Sequence, residues 1–162
     1  MSKKITKVDF LNTLRAQRAQ WEALVTYFDT HDMLITGPDD GWSIKDIIAH
    51  ITWYEREMVG MLRSRALVGS ELWNLPLDDR NAQIHAEVGS LALNTVLDEA
   101  DMIFADLLNE IEQLSENDLH DASAFEGLAA YDTPPWEVIA SNTYLHYQQH
   151  IPELLSRVKL DE

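Results

Sequence analysis

The sequence predicts an all-α protein, a four-helix bundle with long connections after its second and third helices. Four segments carry apolar side chains at the three- and four-residue spacing of amphipathic helices, and capping residues or prolines precede them. No segment shows the alternation that predicts a strand. The 162 residues, 46% of them apolar, are enough for one hydrophobic core, so we expect a single domain over residues 1–162.

The first two helices have clear start signals. Thr6 with Asp9 resembles a capping box, and the first helical pattern continues until the glycine-rich turn at residues 37–41. Ser43 and Asp46 repeat the capping signal for the second helix. Its apolar stripe consists of Ile44, Ile47, Ile48, Ile51, Tyr54, Met58, Met61 and Leu62.

The second half of the chain adds two long helices and their connections. Residues 77–88 predict a short helix within the first long connection, and residues 96–114 carry the third apolar stripe. Residues 115–133 are polar and rich in turn residues, which indicates a loop. Thr133 and the two prolines after it predict the start of a fourth helix over residues 134–158.

Composition excludes several classes of function. The net charge of −16, from 12 basic and 28 acidic side chains, repels nucleic acid and anionic membrane surfaces. The chain contains no cysteine, so disulfides and thiolate metal sites are excluded. We find neither a secretory signal nor an apolar run of the roughly 18 residues that a membrane span needs, and we expect a cytoplasmic protein.

Three histidines suggest a metal site. His146 and His150 are four residues apart, so both imidazoles can reach one point beside a helix. A third imidazole from His50 would complete a three-nitrogen cap with open coordination positions. An angular estimate puts each of them at the rim of its apolar stripe, although such histidines are also common on helix flanks without metal. The other histidines are interpreted as incidental: His31, His85 and His120.

Two residues on the flank of His50 are candidates for catalysis. Glu57 lies on that flank and is a candidate ligand, base or orienting group, although most carboxylates are solvated. Tyr54 is a second catalytic candidate, with a core-edge aromatic as the alternative.

Three further residues are candidates for substrate binding. Asn142 lies beyond His146 on the same side of the fourth helix. Trp53 and Trp136 are expected either in the core or in the wall of an apolar groove for a small molecule.

Three stretches resemble the DinB-like superfamily of bacterial four-helix bundles, and within it the ClbS/DfsB group. They are GWSIKDIIAHI at 41–51, Trp73-Asn74 followed by NAQIH at 81–85, and NTYLHYQQH at 142–150. The resemblance implies a divalent metal (nickel, zinc, iron or manganese) held by His50, His146 and His150. It also implies detoxification chemistry, since one member of the group opens a reactive cyclopropane in a genotoxin and some relatives add low-molecular-weight thiols.

Three functions follow as hypotheses. The first is a metal-dependent enzyme that hydrolyses, or adds a thiol to, a small reactive electrophile, because a bound metal lowers the pKa of a coordinated water or thiol. The second is a resistance protein that sequesters a small molecule without turnover. The third is a structural homodimer with a vestigial metal site, since an apolar helix edge also suits subunit pairing.

Overall fold

The computed structural model describes residues 4–37 and 41–158, and this part of the chain is all-α. Its α-helices are α1 (Lys7–Thr26), α2 (Thr30–Leu34), α3 (Ile44–Ser64), α4 (Leu77–Val88), α5 (Leu93–Glu112), α6 (Pro135–Ser141) and α7 (Tyr144–Ser156). Short 3-10 turns lie at Glu71–Asn74, Ala122–Ala124 and Leu128–Tyr131. Within the described ranges, extended pairing is limited to an isolated bridge between Ala66 and Glu126.

The long helices form the predicted bundle. α3 packs against α5 and α7, and α1 packs against the same two helices, so the four surround one core. α4 lies against α3 and fills the first long connection. The largest fully buried core side chains are Phe10, Leu14, Ile44, Ile47, Met61, Ile84, Leu107, Ile111, Leu114, Leu119, Phe125 and Tyr147.

The predicted starts of the first two long helices are confirmed. The Thr6 hydroxyl accepts a hydrogen bond from the Asp9 amide at 3.0 Å. Ser43 and Asp46 form a reciprocal capping box, with the Ser43 amide donating to the Asp46 carboxylate at 2.9 Å and the Asp46 amide donating to the Ser43 hydroxyl at 3.1 Å. This box fixes the start of α3 and so the position of the side chains one and two turns later.

The prediction of one continuous fourth helix is wrong. α6 ends at Ser141, and Thr143 has φ −131° and ψ −104°, outside the helical range. The Thr143 hydroxyl donates to the Ile139 carbonyl at 2.7 Å, and the Asn142 amide donates to the Val138 carbonyl at 2.8 Å. These side chains satisfy carbonyls that a continuing helix would have bonded, so the break is stable.

The first predicted helix ends before the turn at residues 37–41, and the second ends before Gly69, near which its pattern predicts an end. α1 ends at Thr26, and the short helix α2 follows after Asp29, whose carboxylate accepts from the Asp32 amide at 2.8 Å. α3 ends at Ser64 because Arg65 adopts a left-handed conformation with φ 51°. The boundary between α1 and α2 lies at Asp29 because its side chain bonds a nearby backbone amide in place of a helix hydrogen bond.

The outer faces of the bundle are charged, as the composition predicted. Arg15 of α1 pairs with Glu112 at 2.8 Å, and Arg63 of α3 pairs with Glu110 at 2.8 Å. Such exposed pairs contribute at most about 1 kcal/mol each. None of the described helices combines the length and apolar character that crossing a membrane requires.

Candidate metal centre

Three histidines from α3 and α7 converge through their Nε2 atoms. His50 belongs to α3, and His146 and His150 lie one turn apart on α7. The Nε2 atom of His146 is 3.1 Å from that of His50 and 3.2 Å from that of His150. One ligand atom from each side chain lies within 4.8 Å of the others. The contact between α3 and α7 thus brings together the three side chains that the sequence selected as ligands.

Two of these histidines are buried more deeply than the predicted rim position. His50 is 3% exposed and His146 is 7% exposed. Burial lowers the pKa of His50 from 6.5 to about 2 and that of His146 from 6.5 to about 3, and neighbouring imidazoles add to both shifts. Both rings are therefore neutral near pH 7, and the neutral imidazole is the form that coordinates a metal.

The nitrogens of the cluster fit a metal better than they fit one another. A single proton on the Nε2 atom of His146 can serve only one of its two neighbours. The Nδ1 atom of His50 is buried without a hydrogen-bond partner among the described residues. Two nitrogens bound at about 2.0–2.1 Å to one ion in tetrahedral or octahedral geometry lie about 2.8–3.4 Å apart. The separations of 3.1 and 3.2 Å fall within this range, so the donor set suits a divalent transition metal.

Aromatic side chains surround the imidazole of His50. The rings of Trp42 and Tyr54 each lie edge-on at 5.1 Å from it. Trp42 also stacks on His85 with the ring centres 4.9 Å apart. His85, which the sequence analysis interpreted as incidental, therefore supports the Trp42 ring beside His50. The Tyr54 hydroxyl donates to the Asn81 amide oxygen at 2.7 Å, and burial raises the pKa of Tyr54. Tyr54 is therefore a protonated hydrogen-bond donor fixed by α4.

Arg157 ties the end of α7 to the loop before α3. Its guanidinium donates to the Glu153 carboxylate at 2.6 Å and to the Trp42 carbonyl at 2.9 Å. The Glu153 carboxylate also lies 3.7 Å from the Nδ1 atom of His150, so a negative charge faces that side of the imidazole. Gly37 packs closely against this contact, since an added Cβ atom would meet the Arg157 guanidinium and lie 3.2 Å from the Trp42 carbonyl oxygen.

A cavity of about 600 Å³ opens onto the three histidines. This volume is typical of small-molecule sites. Its wall includes two predicted site residues, Tyr54 and Asn142, and three residues that the sequence did not assign to the site, Trp42, Trp73 and Asn81. The other lining residues are Leu77, Asp78, Arg80, Ala82, Ser141 and Gln149.

Glu57 lies outside this cavity. Its carboxylate accepts hydrogen bonds from the Ser70 amide at 3.1 and 3.3 Å and so holds the loop after α3. It shares the helical flank of His50, but seven residues correspond to about 10 Å along a helix axis. The angular estimate gave the direction of Glu57 and not its distance from the histidines.

The two predicted tryptophans also lie away from the cavity wall. Trp53 is buried, with its ring 5.6 Å from that of Trp73. Trp136 of α6 packs edge-on against Phe10 of α1, with the ring centres 6.4 Å apart. Both therefore belong to the packing of the bundle, which was the alternative that the sequence left open.

The cavity residues that sequence reasoning missed come from segments without a helical site pattern. Trp73 belongs to the turn Glu71–Asn74, and the Arg80 guanidinium lies 4.8 Å from its ring centre. Trp42 precedes α3, and Asn81 belongs to α4. The available signal was the presence of all three residues in the stretches that resemble the DinB-like superfamily.

A buried polar network joins α1, α3 and α7. One of its members, Tyr147, directly follows the cluster residue His146 in the sequence. Tyr147, the neighbour of His146, donates a short hydrogen bond to Glu55, which is fully buried. Arg18 donates to the Tyr147 hydroxyl at 2.9 Å, to both Glu55 oxygens at 3.4 Å and to the Ala100 carbonyl at 3.1 Å. These bonds fix α7 against α3 at the level of Tyr147 and thereby the position of His146.

Comparisons with known proteins agree with this fold. A sequence profile described as the DinB superfamily matches residues 11–153. The fold is similar to that of DfsB, described as a sibling lethal factor precursor, with a TM-score of 0.78 and 18% identity over 95% of each chain. It is also similar to a Streptococcus pneumoniae protein, with a TM-score of 0.79 and 13% identity over 96% of this chain and 92% of that one.

A third solved structure, an uncharacterised protein from Escherichia coli UTI89, has a TM-score of 0.71 and 14% identity over 96% of this chain and 94% of that one. Identities this low show the fold alone. Among curated proteins, no sequence matches the chain. Because the profile spans most of the sequence and the bundle carries the histidines of the predicted motifs, the chain belongs to the DinB superfamily.

Proposed function

We propose that this protein is a metal-dependent enzyme that directs water or a low-molecular-weight thiol onto a small, toxic electrophile. The observation that carries the proposal is the convergence of three imidazole Nε2 atoms beside a cavity of about 600 Å³. His50, His146 and His150 would hold nickel, zinc, iron or manganese. Such an ion supplies Lewis acidity, which lowers the pKa of a coordinated water or thiol.

The other cavity residues bind and orient the electrophile. One N–H of the Asn142 side-chain amide donates to the Val138 carbonyl, so its oxygen and its second N–H remain for a ligand. Tyr54 keeps its proton and donates it in a hydrogen bond to Asn81, so its hydroxyl oxygen can accept a hydrogen bond from a ligand but does not suit a general base. Trp42 adds a flat apolar wall beside the histidines. A self-protection role follows from the resemblance of the motifs to the ClbS/DfsB group.

Metal content after purification without an affinity tag tests the metal part of the proposal. We expect close to one equivalent of a transition metal per chain, measured by mass spectrometry of the elements. The double variant His146→Ala, His150→Ala should lose it, whereas His31→Ala, which changes an exposed histidine outside the cluster, should retain it. Equal metal content in the wild type and the double variant would reject the proposed site.

One observation favours a second candidate, sequestration without turnover. Glu57 lies away from the histidines, and Asp78 is the carboxylate among the cavity-lining residues. Fewer carboxylates near the metal leave fewer candidates for proton transfer. Incubation of the metal-loaded protein with an aryl epoxide and cysteine separates the two functions. Product beyond one equivalent per chain supports the enzyme, and saturation at one equivalent of bound epoxide supports sequestration.

A further inference from the structure

A second cavity of about 560 Å³ lies next to the first. Trp73 and Asn142 line both cavities, so the two cavities meet at these side chains. Trp73 is held in place by Arg80, which lies over its ring and donates to the Leu72 and Leu75 carbonyls. Trp73 is therefore fixed in position where the two cavities meet.

Aliphatic and aromatic side chains together make up just over half of the lining of the second cavity. Met58 and Met61 of α3 form its buried part, and Val138 of α6 lines it as well. At its opening Val68 is 57% exposed and Tyr131 is also exposed. Apolar side chains that remain in contact with water around a cavity indicate a surface that an apolar ligand covers.

Acidic groups limit the charge of that ligand. Glu57 and Glu71 line the same cavity, and the Glu57 carboxylate holds the loop at Ser70. Gly69 is closely packed there, since an added Cβ atom would lie 2.2 Å from a Glu57 oxygen and 3.2 Å from the Trp73 indole nitrogen. A ligand that ends in a carboxylate would meet like charge at this position.

We infer that the second cavity binds an uncharged aliphatic arm of an elongated substrate whose reactive end lies at the three histidines. The inference rests on the proposed function and extends it, because it names the class of substrate. Trp73 and Asn142 form the neck between the two halves, and the oxygen of the Asn142 amide accepts a hydrogen bond from a polar link in the chain. In this arrangement Glu57 lines the second cavity, which holds the aliphatic arm, and takes no part in the reaction at the histidines.

Imidazoles that carry alkyl chains of increasing length test this inference. 1-Methylimidazole reports on the histidine end alone, and 1-octylimidazole adds an arm that can reach the second cavity. Titration calorimetry is carried out on zinc-loaded protein and again on chelator-treated protein. Val138→Trp fills the second cavity, and Val68→Asp puts a charge at its opening. Val8→Asp is the matched control, since Val8 is 62% exposed and lies on α1 away from both cavities.

We expect the octyl probe to bind the wild type and Val8→Asp at least about tenfold more tightly than the methyl probe, from burial of methylene groups. In Val138→Trp and Val68→Asp this gain should fall below about threefold, and a terminal carboxylate on the octyl chain should reduce it in the wild type. An equal gain in all four proteins, or no gain in the wild type, would overturn the inference. If zinc leaves the affinity for 1-methylimidazole unchanged, the metal proposal fails, and the chain-length comparison in chelator-treated protein still decides the second cavity.

Discussion

Replacement of Arg18 by leucine should destabilise the fold by about 3–5 kcal/mol, since it leaves a buried carboxylate without its cation. Glu55 is 0% exposed, and Arg18 is its positively charged partner. The substitution also removes the guanidinium bonds to the Tyr147 hydroxyl and the Ala100 carbonyl. Most of the expected loss in the free energy of unfolding comes from the unpaired buried charge, because a normal hydrogen bond contributes only about 1 kcal/mol.

Urea denaturation followed by circular dichroism measures this loss. Arg15→Leu is the matched control on the same helix, because its pair with Glu112 is half exposed, and it should cost less than about 1 kcal/mol. Adding Glu55→Gln to Arg18→Leu removes the buried charge and should recover about 2 kcal/mol. A loss in Arg18→Leu no larger than in Arg15→Leu, or no recovery with Glu55→Gln, would refute this account of the network.

The stability lost in Arg18→Leu should depend on pH, and the pKa of Glu55 gives the sign of that dependence. Burial raises the pKa of Glu55, and the charge of Arg18 opposes the shift. A raised pKa in the folded state means that this carboxyl costs no stability below its unfolded pKa of about 4.3, and the cost appears as the pH rises through the folded pKa. Without Arg18 that pKa rises further, so the deficit of Arg18→Leu should be smaller at about pH 5 than at about pH 8.

Three other substitutions test neighbouring parts of the structure. Tyr54→Phe keeps the ring but removes the hydroxyl that donates to Asn81; we expect unchanged metal content and a loss of about 1 kcal/mol in urea denaturation. Arg157→Ala removes the guanidinium between the end of α7 and the loop before α3, and a competition titration with a chelator should show at least about tenfold weaker metal binding. Ser43→Ala opens the capping box of α3 and should cost about 1 kcal/mol, more than Ser64→Ala, whose hydroxyl donates to a helix carbonyl.

Most of the fold was predictable because helical periodicity and capping are local signals. The stripe of α3 and its capping box depend on residues within one or two turns. The break at Asn142 and Thr143 was missed because it depends on side chains that bond carbonyls four residues earlier, which a helical pattern also permits.

The buried ion pair was also missed, although the sequence contained a signal for it. Arg18 lies one turn after Leu14 on the stripe of α1, and Glu55 lies one turn after Ile51 on the stripe of α3. A charge at a core position on each of two helices predicts a buried pair. Interpretation of the acidic residues as solvated surface was correct for most and wrong for this one.

The histidine pair was predictable from spacing, and the resemblance between the motifs and a known superfamily supported the addition of His50. The walls of the cavity required the structure. Trp73 and Asn81 reach it through the packing of a turn and of α4 against α3, and residue spacing within one helix does not describe such contacts. Glu57 illustrates the converse, since its helical angle pointed toward His50 while its distance along the axis separates them.

X-ray absorption at the zinc edge of the zinc-loaded protein tests the central claim most directly, because it counts the imidazoles around the ion. Three imidazole nitrogens at about 2.0–2.1 Å are expected in the wild type, and fewer in His150→Ala. A spectrum of oxygen ligands alone, or one that is identical in His150→Ala, would contradict a metal centre formed by His50, His146 and His150.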